Sequence, residues 1–310
     1  MSRAVVATAY AGPEVLAIVD VYLGPPGPDQ LLVDVRAAGV HPADWKTYTG
    51  SWGHDPTKLP LRLGFEAAGV VRAVGSEITD VQVGDEVIVH PTTGAYAERL
   101  LVRRGAALPK PSSLDWPQAA ALLLAGTTAV HALTAVGVGA GDTLLVHGAS
   151  GGVGAMVIQL ARQRGARVVG TAGAANHEHV LDLGATAGTY GPGLADRLRR
   201  AAPTVSAAID LAGTEEALEV SAELVTDRRR IATVANFGKG AQLGVHLLGH
   251  GVGAEPGSAL RREARARLVE LAGAGRLRVP VGATYPLAEA ARAHRAGLAG
   301  TVTGKIVLLP

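Results

Sequence analysis

Apolar positions follow two different periods along this chain. From Ala4 to about Pro111, short apolar runs alternate with turn clusters such as Gly24-Pro-Pro-Gly-Pro28, a pattern typical of β-strands. From Trp116 onward, apolar residues recur at helical spacing and alternate with short, wholly apolar runs, which indicates helices alternating with the strands of a parallel sheet. The pattern therefore predicts a β-rich part followed by an α/β part.

The last residues again show the apolar pattern of the β-rich part. A helix is predicted near 287–295 and a final strand over 304–309. Such a strand needs neighbours, and the N-terminal part is the natural host. We therefore expect residues 1–116 and 277–310 to form one catalytic domain, with 117–276 inserted as a nucleotide-binding domain and the active site in the cleft between them. Within the insert, helices are predicted at 117–124, 128–135, 155–164, 215–224 and 260–272, and strands at 143–147, 167–171, 207–211 and 230–234.

The most informative motif is the segment 143–154, TLLVHGASGGVG. It is predicted to run from a buried strand through a glycine-rich turn into a helix whose free N–H groups bind a pyrophosphate. Gly151 lets the backbone approach the phosphates, Gly148 and Gly152 permit unusual dihedral angles, and Gly154 lets the helix lie close to the strand. Because a strand precedes the loop and a helix and strand follow it, the segment predicts dinucleotide binding.

Composition limits the other possibilities. With 310 residues and 48% hydrophobic content, the chain is long enough to bury two cores. No uninterrupted apolar run approaches the roughly 20 residues of a membrane span, and the chain begins directly with an alternating strand, so a cytoplasmic protein without a membrane partner is expected. The net charge of +2 comes from dispersed charges, which does not indicate nucleic-acid binding.

The chain contains no cysteine. This excludes disulfides, thiolate catalysis and every cysteine-ligated metal site. Histidine does not replace it, because His177 and His179 are two positions apart and would point to different faces of a helix, and His41 alone cannot hold zinc. The residues predict no metal site.

Several motifs together resemble the zinc-free quinone oxidoreductase branch of the medium-chain dehydrogenase/reductase superfamily. The resemblance implies an α/β fold with a GroES-like β-rich catalytic domain and a doubly wound Rossmann domain. In zinc-dependent relatives a cysteine matches His41 and a histidine matches Phe65, so the zinc ligands are replaced here. The motifs that carry the resemblance are residues 39–50, 63–71, 84–87, 94–98, 126–129, 183–185 and 304–307, together with the glycine loop.

Without a Lewis acid, hydride transfer to a quinone or conjugated carbonyl is the accessible chemistry, since the developing charge then needs only hydrogen-bond donors. His41, at a position where this branch usually has asparagine, could polarise the substrate carbonyl or deliver a proton; alternatively, it only packs beside the cofactor. Tyr48 could donate to an enolate or be an aromatic at the rim. Asp44 is expected to orient its neighbours.

The second strand of the nucleotide motif ends in Val168-Val-Gly-Thr-Ala-Gly-Ala174. It lacks the acidic residue that NAD-selective sites place about 20 positions after the loop, which favours NADPH. The resemblance places Thr127 near the nicotinamide, and Asn236 follows a strand end where the nicotinamide amide should lie. The full set of predicted cofactor contacts is Thr127, Ser150, Gly151, Gly152, Val153, Gly154, Thr171, Asn176, His177, Tyr190, Asn236 and Phe237.

These observations predict an NADPH-dependent reductase of quinones or α,β-unsaturated carbonyls that acts on a small molecule without metal. Two alternatives remain open: an enoyl reductase of polyketide or other secondary metabolism, and a protein that binds NADPH without turnover. The resemblance also implies a homodimer, which could pair through the apolar run 243–248, because exposed strand edges favour such pairing.

Overall fold

The computed structural model describes residues 1–310 and divides into two compact units. The first unit comprises Met1–Leu124 and Val269–Pro310, and the second comprises Ala125–Leu268. The sequence-based boundaries at 116/117 and 276/277 lie several residues away, because helices Leu123–Ala135 and Ser258–Gly273 run through the divisions without a break.

Sixteen strands form the sheets of the two units. In chain order they are β1 Ser2–Ala7, β2 Leu16–Val21, β3 Gln30–Val40, β4 Leu61–Arg62, β5 Ala67–Val74, β6 Glu86–Val89, β7 Arg99–Arg103, β8 Ala107–Pro109, β9 Thr143–His147, β10 Arg167–Thr171, β11 Thr186–Gly188, β12 Ala207–Asp210, β13 Ile231–Thr233, β14 His246–Leu247, β15 Val281–Pro286 and β16 Lys305–Leu309.

Ten α-helices accompany the strands. They are α1 Pro42–Tyr48, α2 Trp116–Ala119, α3 Leu123–Ala135, α4 Gly152–Gln163, α5 His177–Asp182, α6 Leu194–Ala201, α7 Glu215–Leu224, α8 Phe237–Leu243, α9 Ser258–Gly273 and α10 Ala290–Leu298. Short 3₁₀ turns occur at Pro13–Val15, Pro56–Lys58, Arg104–Ala106, Ala174–Asn176, Arg228–Arg230 and Leu287–Glu289.

The first unit is organised around the long strand β3. It pairs antiparallel with β5, with β7 and with the C-terminal strand β16, where Val307 lies opposite Gly39. The seven-stranded sheet has the order β15-β16-β3-β5-β6-β8, with β7 on β3, and β2-β1-β4 form a second sheet. Alternate residues of β3, including Leu31 and Val33, are fully buried, as expected of a strand with one face on a core.

The second unit contains a six-stranded parallel sheet in the order β11-β10-β9-β12-β13-β14. This is the strand order of a doubly wound dinucleotide-binding fold, with the reversal between β9 and β12. All five residues of β9 are buried, as expected for a central parallel strand covered on both faces. The predicted α/β architecture is confirmed.

The helices around residue 120 differ from the prediction. Asp115 and Gln118 form a capping box that starts α2 at Trp116, and α3 begins at Leu123 and continues through Gly126. The sequence analysis instead placed a break between two helices, at 117–124 and 128–135, on either side of this glycine. In the structure a Cβ at Gly126 would lie 2.9 Å from the Leu268 side chain, so the glycine permits close packing inside the helix.

The segment Trp116–Ala135 is long and apolar enough, by length and composition, to cross a membrane. It did not stand out in the sequence because Pro117, Gln118 and His131 interrupt it. Most of its apolar window, 72%, is buried inside the protein, as is usual for a core helix.

Two further differences from the prediction concern the C-terminal part: a 3₁₀ turn precedes α10, and β16 starts at Lys305 because Gly304 has φ +82°.

Candidate functional site

The glycine loop of the second unit has the geometry of a phosphate cradle. Gly148 leaves β9 with φ +75°, a value that favours glycine. A Cβ at Gly154 would lie 2.6 Å from the carbonyl oxygen of Ala149, whereas one at Gly151 would meet only Gly148 O, at 3.5 Å. Gly154 is therefore needed for helix–strand packing, while Gly151 keeps the approach to the helix N-terminus open.

The prediction for Gly152 was wrong. It is the first residue of α4, and its φ is not positive, so it supplies a helical N–H group and has no unusual dihedral angle. Gly152, Val153 and Gly154 form the first turn of a 12-residue helix, where backbone N–H groups lack intrahelical partners and the helix dipole is positive. Such an end binds phosphate well.

Polar side chains gather beside this cradle. Asn176 Nδ2 donates to Ser150 Oγ at 3.5 Å, and His177 Nε2 lies 3.2 Å from Thr189 Oγ1. Tyr190 is 59% exposed, and a Cβ at Gly173 would lie 3.5 Å from its hydroxyl oxygen. The structure thus brings Ser150, Asn176, His177 and Tyr190 to the carboxyl ends of β9, β10 and β11.

The sequence analysis missed a cation at this end of the sheet. The Arg197 guanidinium donates to the carbonyl oxygens of Thr189, Gly191 and Pro192 at 2.6–3.2 Å, and so it holds the loop that carries Tyr190. It lies on α6, 26 residues beyond the end of β10, and no local pattern marked it.

The other predicted cofactor contacts are engaged inside the second unit. The Thr171 hydroxyl is buried and lies 3.0 Å from His147 Nδ1. Thr127 is fully buried within α3. Asn236 follows β13, but its side chain caps α8 by accepting from Lys239 N and donates to Gly213 O, both at 3.1 Å. The Phe237 ring packs against Gly251.

The first unit contains a buried cluster of ionisable groups around His41. His41 Nε2 lies 2.8 Å from Glu66 Oε1, and Lys305 Nζ lies 2.6 Å from His41 Nδ1 and 3.7 Å from Glu66 Oε1. Glu66 Oε2 accepts from Leu124 N at 2.7 Å, and Lys305 also donates to Val40 O. All three side chains are at most 5% exposed.

The contacts determine the protonation state of this cluster. Burial and the nearby charge of Lys305 lower the pKa of His41 to about 4, so the imidazole is neutral at pH 7. An ammonium on Lys305 can then donate to Nδ1 while the proton on Nε2 is donated to Glu66. Burial alone would raise the pKa of Glu66, but His41 and Lys305 lower it to about 2.

Gly39 makes room for the cluster. A Cβ at this position would lie 2.5 Å from Ala120 O, 2.6 Å from Glu66 Oε1 and 2.9 Å from His41 Nε2. In the sequence, Glu66 and Lys305 were marked only as members of the family motifs 63–71 and 304–307. Their contact with His41 joins residues from β3, β16 and the turn before β5, which sequence proximity could not reveal.

Asp44 orients the start of α1. Its carboxylate oxygens accept from His41 N at 2.8 Å and from Gly64 N at 2.9 Å, and the nearby Tyr96 hydroxyl helps to lower the pKa of the carboxyl. Asp44 is fully buried. Burial raises its pKa to about 7, although these hydrogen bonds and Lys305 act in the opposite direction.

Tyr48 lies at the other end of α1 and is also fully buried. Its hydroxyl lies 2.9 Å from His294 Nδ1, and His294 Nε2 lies 3.2 Å from the Tyr96 hydroxyl. Burial lowers the pKa of His294 to about 4. The structure therefore brings the three predicted catalytic residues, His41, Asp44 and Tyr48, into one buried network with Tyr96 and His294.

No group of three or more His, Asp or Glu side chains has an arrangement that could hold a metal ion. Phe65 occupies the position of a zinc-ligating histidine in relatives. Its carbonyl oxygen lies 2.9 Å from His90 Nδ1.

Comparison with known proteins defines the class first. Residues 27–112 match the alcohol dehydrogenase GroES-like domain family, and residues 175–308 match the zinc-binding dehydrogenase family. A GroES-like unit combined with a Rossmann-type sheet is the domain composition of the medium-chain dehydrogenases/reductases.

Individual relatives narrow this class. A quinone oxidoreductase of Pseudomonas aeruginosa is 31% identical over the full length of both chains. The rat quinone oxidoreductase is 39% identical over 176 residues, which cover 56% of this chain and 53% of the rat protein. Among solved structures, the Escherichia coli quinone oxidoreductase complexed with NADPH has a TM-score of 0.88 at 28% identity and covers all of both chains. The chain belongs to the quinone oxidoreductase family of the medium-chain dehydrogenase/reductase superfamily.

Proposed function

We propose that this protein is an NADPH-dependent reductase that transfers hydride to a quinone or to an α,β-unsaturated carbonyl compound. The observation that carries the proposal is the open glycine cradle at the N-terminus of α4, with Ser150, Asn176 and Tyr190 beside it. The strand order around this cradle is that of dinucleotide-binding folds.

The residues of the second unit fit a bound NADPH. The N–H groups of Gly152, Val153 and Gly154 would hold the pyrophosphate, and Ser150, Asn176, His177 and Tyr190 would surround the 2′-phosphate. No carboxylate lies between the end of β10 and the start of α5, and the first one beyond, Glu178 in α5, is exposed. The segment after β10 therefore carries no negative charge that would repel the extra phosphate. When bound, the reduced nicotinamide supplies the hydride.

The first unit supplies the groups proposed to activate the acceptor. His41 carries one N–H group, at Nε2, which donates to Glu66. To contact a substrate oxygen, His41 would have to exchange this hydrogen bond to Glu66 for one to the substrate. The positive charge of Lys305 adjoins the ring and would stabilise the oxyanion that forms as hydride arrives. We propose that no metal ion takes part, because the zinc-ligand positions hold His41 and Phe65 and the chain lacks cysteine.

A panel assay tests this function. Purified protein treated with a chelator should oxidise NADPH in the presence of quinones or enones, and faster than it oxidises NADH. Comparison with acyl thioesters separates a quinone reductase from an enoyl reductase. Failure to oxidise NADPH with any acceptor would reject the reductase, and stoichiometric zinc by elemental analysis would reject the metal-free mechanism.

One observation favours the alternative of a protein that binds NADPH without turnover. Both ring nitrogens of His41 and the hydroxyl of Tyr48 are engaged within the protein. Tight NADPH binding by calorimetry, together with no hydride transfer to any acceptor of the panel, would support this alternative.

We also propose that the protein is a cytoplasmic homodimer. The backbone of Glu255 already pairs beside the edge strand β14, which argues against simple pairing with a second copy. Glu255 N donates to Leu247 O, and Glu255 O accepts from Gly249 N, both at 2.8 Å. Two-fold pairing at this edge would require that segment to move. Light scattering at twice the chain mass of 31.5 kDa would support a dimer, and scattering at the single-chain mass would contradict it.

A further inference from the structure

The loop 189–193, between β11 and α6, carries an exposed tyrosine and has no core packing of its own. Tyr190 is 59% exposed, and none of the five loop residues is buried. Gly191 and Gly193 have φ values of +98° and +76°, and glycine loses more conformational freedom than any other residue when it is ordered. Burial and composition alone would therefore leave this loop without a fixed conformation.

One guanidinium supplies most of the contacts that fix the loop. Arg197, in α6, donates to Thr189 O from Nε at 3.2 Å and from Nη2 at 2.9 Å. Nη2 also donates to Gly191 O at 2.8 Å, and Nη1 donates to Pro192 O at 2.6 Å. These four hydrogen bonds reach carbonyl groups on both sides of Tyr190, so the backbone of the tyrosine is held from both directions.

Two further side chains contact the same loop. Glu216 Oε2 accepts from Gly191 N at 3.0 Å, and His177 Nε2 lies 3.2 Å from Thr189 Oγ1. Each of them makes one contact, whereas the guanidinium of Arg197 makes four with a planar fork that a flexible ammonium does not provide. Arg197 is therefore the main determinant of the conformation of the loop.

The loop places the Tyr190 hydroxyl beside the turn that follows β10. A Cβ on Gly173 would lie 3.5 Å from this hydroxyl oxygen, and Gly173 is two positions beyond Thr171, where β10 ends. Dinucleotide-binding folds place the group that contacts the ribose 2′ position at the end of this strand. A phenol there can donate to a phosphate oxygen, whereas the carboxylate of NAD-selective sites would repel it.

We propose that Arg197 is a positioning residue that sets the affinity for NADPH by holding Tyr190 at the 2′-phosphate. It acts through the tyrosine, because all three nitrogens of its guanidinium are engaged by loop carbonyl groups. Ordering the loop before the cofactor binds removes an entropic cost from binding. The identity of the ligand rests on the proposed function, whereas the order of the loop is a property of the protein without cofactor.

The first measurement needs no nucleotide. Amide hydrogen exchange by NMR at Gly191 N–H, which donates to Glu216, reports opening of the loop. Because an amide side chain cannot bridge three carbonyl groups, we expect Arg197→Gln to raise this exchange rate about tenfold or more. Arg200→Gln is the matched control and should exchange at the wild-type rate, since Arg200 lies on the same helix and bonds only to Asp196 O. An unchanged rate in Arg197→Gln would overturn the positioning role.

The second measurement joins the loop to the cofactor. Calorimetric titration gives the Kd of NADPH and of NADH for the wild type, Arg197→Gln, Tyr190→Ala and the double variant. We expect Arg197→Gln to weaken NADPH binding about tenfold and NADH binding less than about twofold, with Arg200→Gln unchanged. In the Tyr190→Ala background, the Arg197 substitution should weaken NADPH less than about twofold further, because the two residues are coupled. The full loss in that background would overturn the proposal, since Arg197 would then act without the tyrosine.

A conservative variant separates position from charge. Arg197→Lys keeps the positive charge but loses the planar fork, so we expect raised exchange at Gly191 and an NADPH affinity between those of the wild type and Arg197→Gln. Wild-type affinity together with raised exchange would show that charge alone suffices and would overturn the positioning role. If NADPH binds but reduces no quinone or enone, the proposed reductase fails while the exchange rates and affinities still decide the role of Arg197. No binding of NADPH to the wild type would reject both proposals.

Discussion

The ammonium nitrogen of Lys305 lies 2.6 Å from Nδ1 of His41, in the interior of the first unit. With Glu66 on the other ring nitrogen, the imidazole lies between a buried cation and a buried anion. This arrangement explains why His41 is neutral, and it makes the three residues depend on one another.

Removal of Lys305 should destabilise the fold strongly. Lys305→Met leaves the Glu66 carboxylate without its buried counter-charge, and breaking such a pair costs about 3–5 kcal/mol. Urea unfolding measures this loss. Lys58→Met, which removes one partner of an exposed pair with Asp55, should cost less than about 1 kcal/mol. If the double variant Lys305→Met/Glu66→Gln is no more stable than Lys305→Met, the two charges are not coupled.

Stability should fall as the pH decreases from 6.5 toward 4. Burial lowers the pKa of His41, His147 and His294 from 6.5 to about 4, so in this window the unfolded chain binds protons that the folded chain does not. Each histidine then contributes about 3 kcal/mol of stability near pH 7 that is lost in acid. Asp44, whose pKa is raised from 3.8 to about 7, acts in the opposite direction and offsets one of the three.

Replacement of one buried histidine checks this sign. His147→Asn should reduce the pH dependence of the unfolding free energy between pH 4 and 6.5 by about one proton. His54→Asn, at an exposed position, should leave the slope unchanged. An unaltered slope in His147→Asn would contradict the assignment of a neutral, buried imidazole.

Alanine substitutions at two glycines of the loop should have different effects, one on stability and one on NADPH binding. Gly154→Ala places a Cβ 2.6 Å from the Ala149 carbonyl oxygen, so we expect a loss of about 1–3 kcal/mol of stability through overpacking. Gly151→Ala meets only an ordinary contact and should fold normally but bind NADPH more weakly in calorimetry. Gly139→Ala, which has open space, is the control for both; equal NADPH affinity in Gly151→Ala and Gly139→Ala would contradict the cradle.

A carboxylate beside the proposed 2′-phosphate site should change the cofactor preference. Asn176→Asp places a negative charge next to Ser150, and we expect NADPH affinity to fall about tenfold while NADH affinity changes little, because one repulsive contact is worth about 1.4 kcal/mol or more. Titration of both nucleotides measures this ratio. Glu178→Gln, two positions away and exposed, should leave NADPH binding unweakened; parallel losses for both nucleotides in Asn176→Asp would contradict the placement.

The periodicity of the sequence was sufficient for the architecture and for the cradle. Strand β10 at Arg167–Thr171 and helix α7 at Glu215–Leu224 have the predicted bounds, because apolar spacing and capping are local properties of a segment. The glycine loop could also be recognised from the sequence, since its strand, turn and helix follow one another without interruption along the chain.

The polar network of the first unit depended on packing between distant parts of the chain. His41 and Lys305 are far apart in sequence and meet because β16 pairs with β3, and Tyr48 meets His294 because α10 packs near α1. No local pattern encodes a contact between two segments that have no fixed separation. Burial then set the charges of these groups, because desolvation acts on a side chain only after the surrounding core has formed.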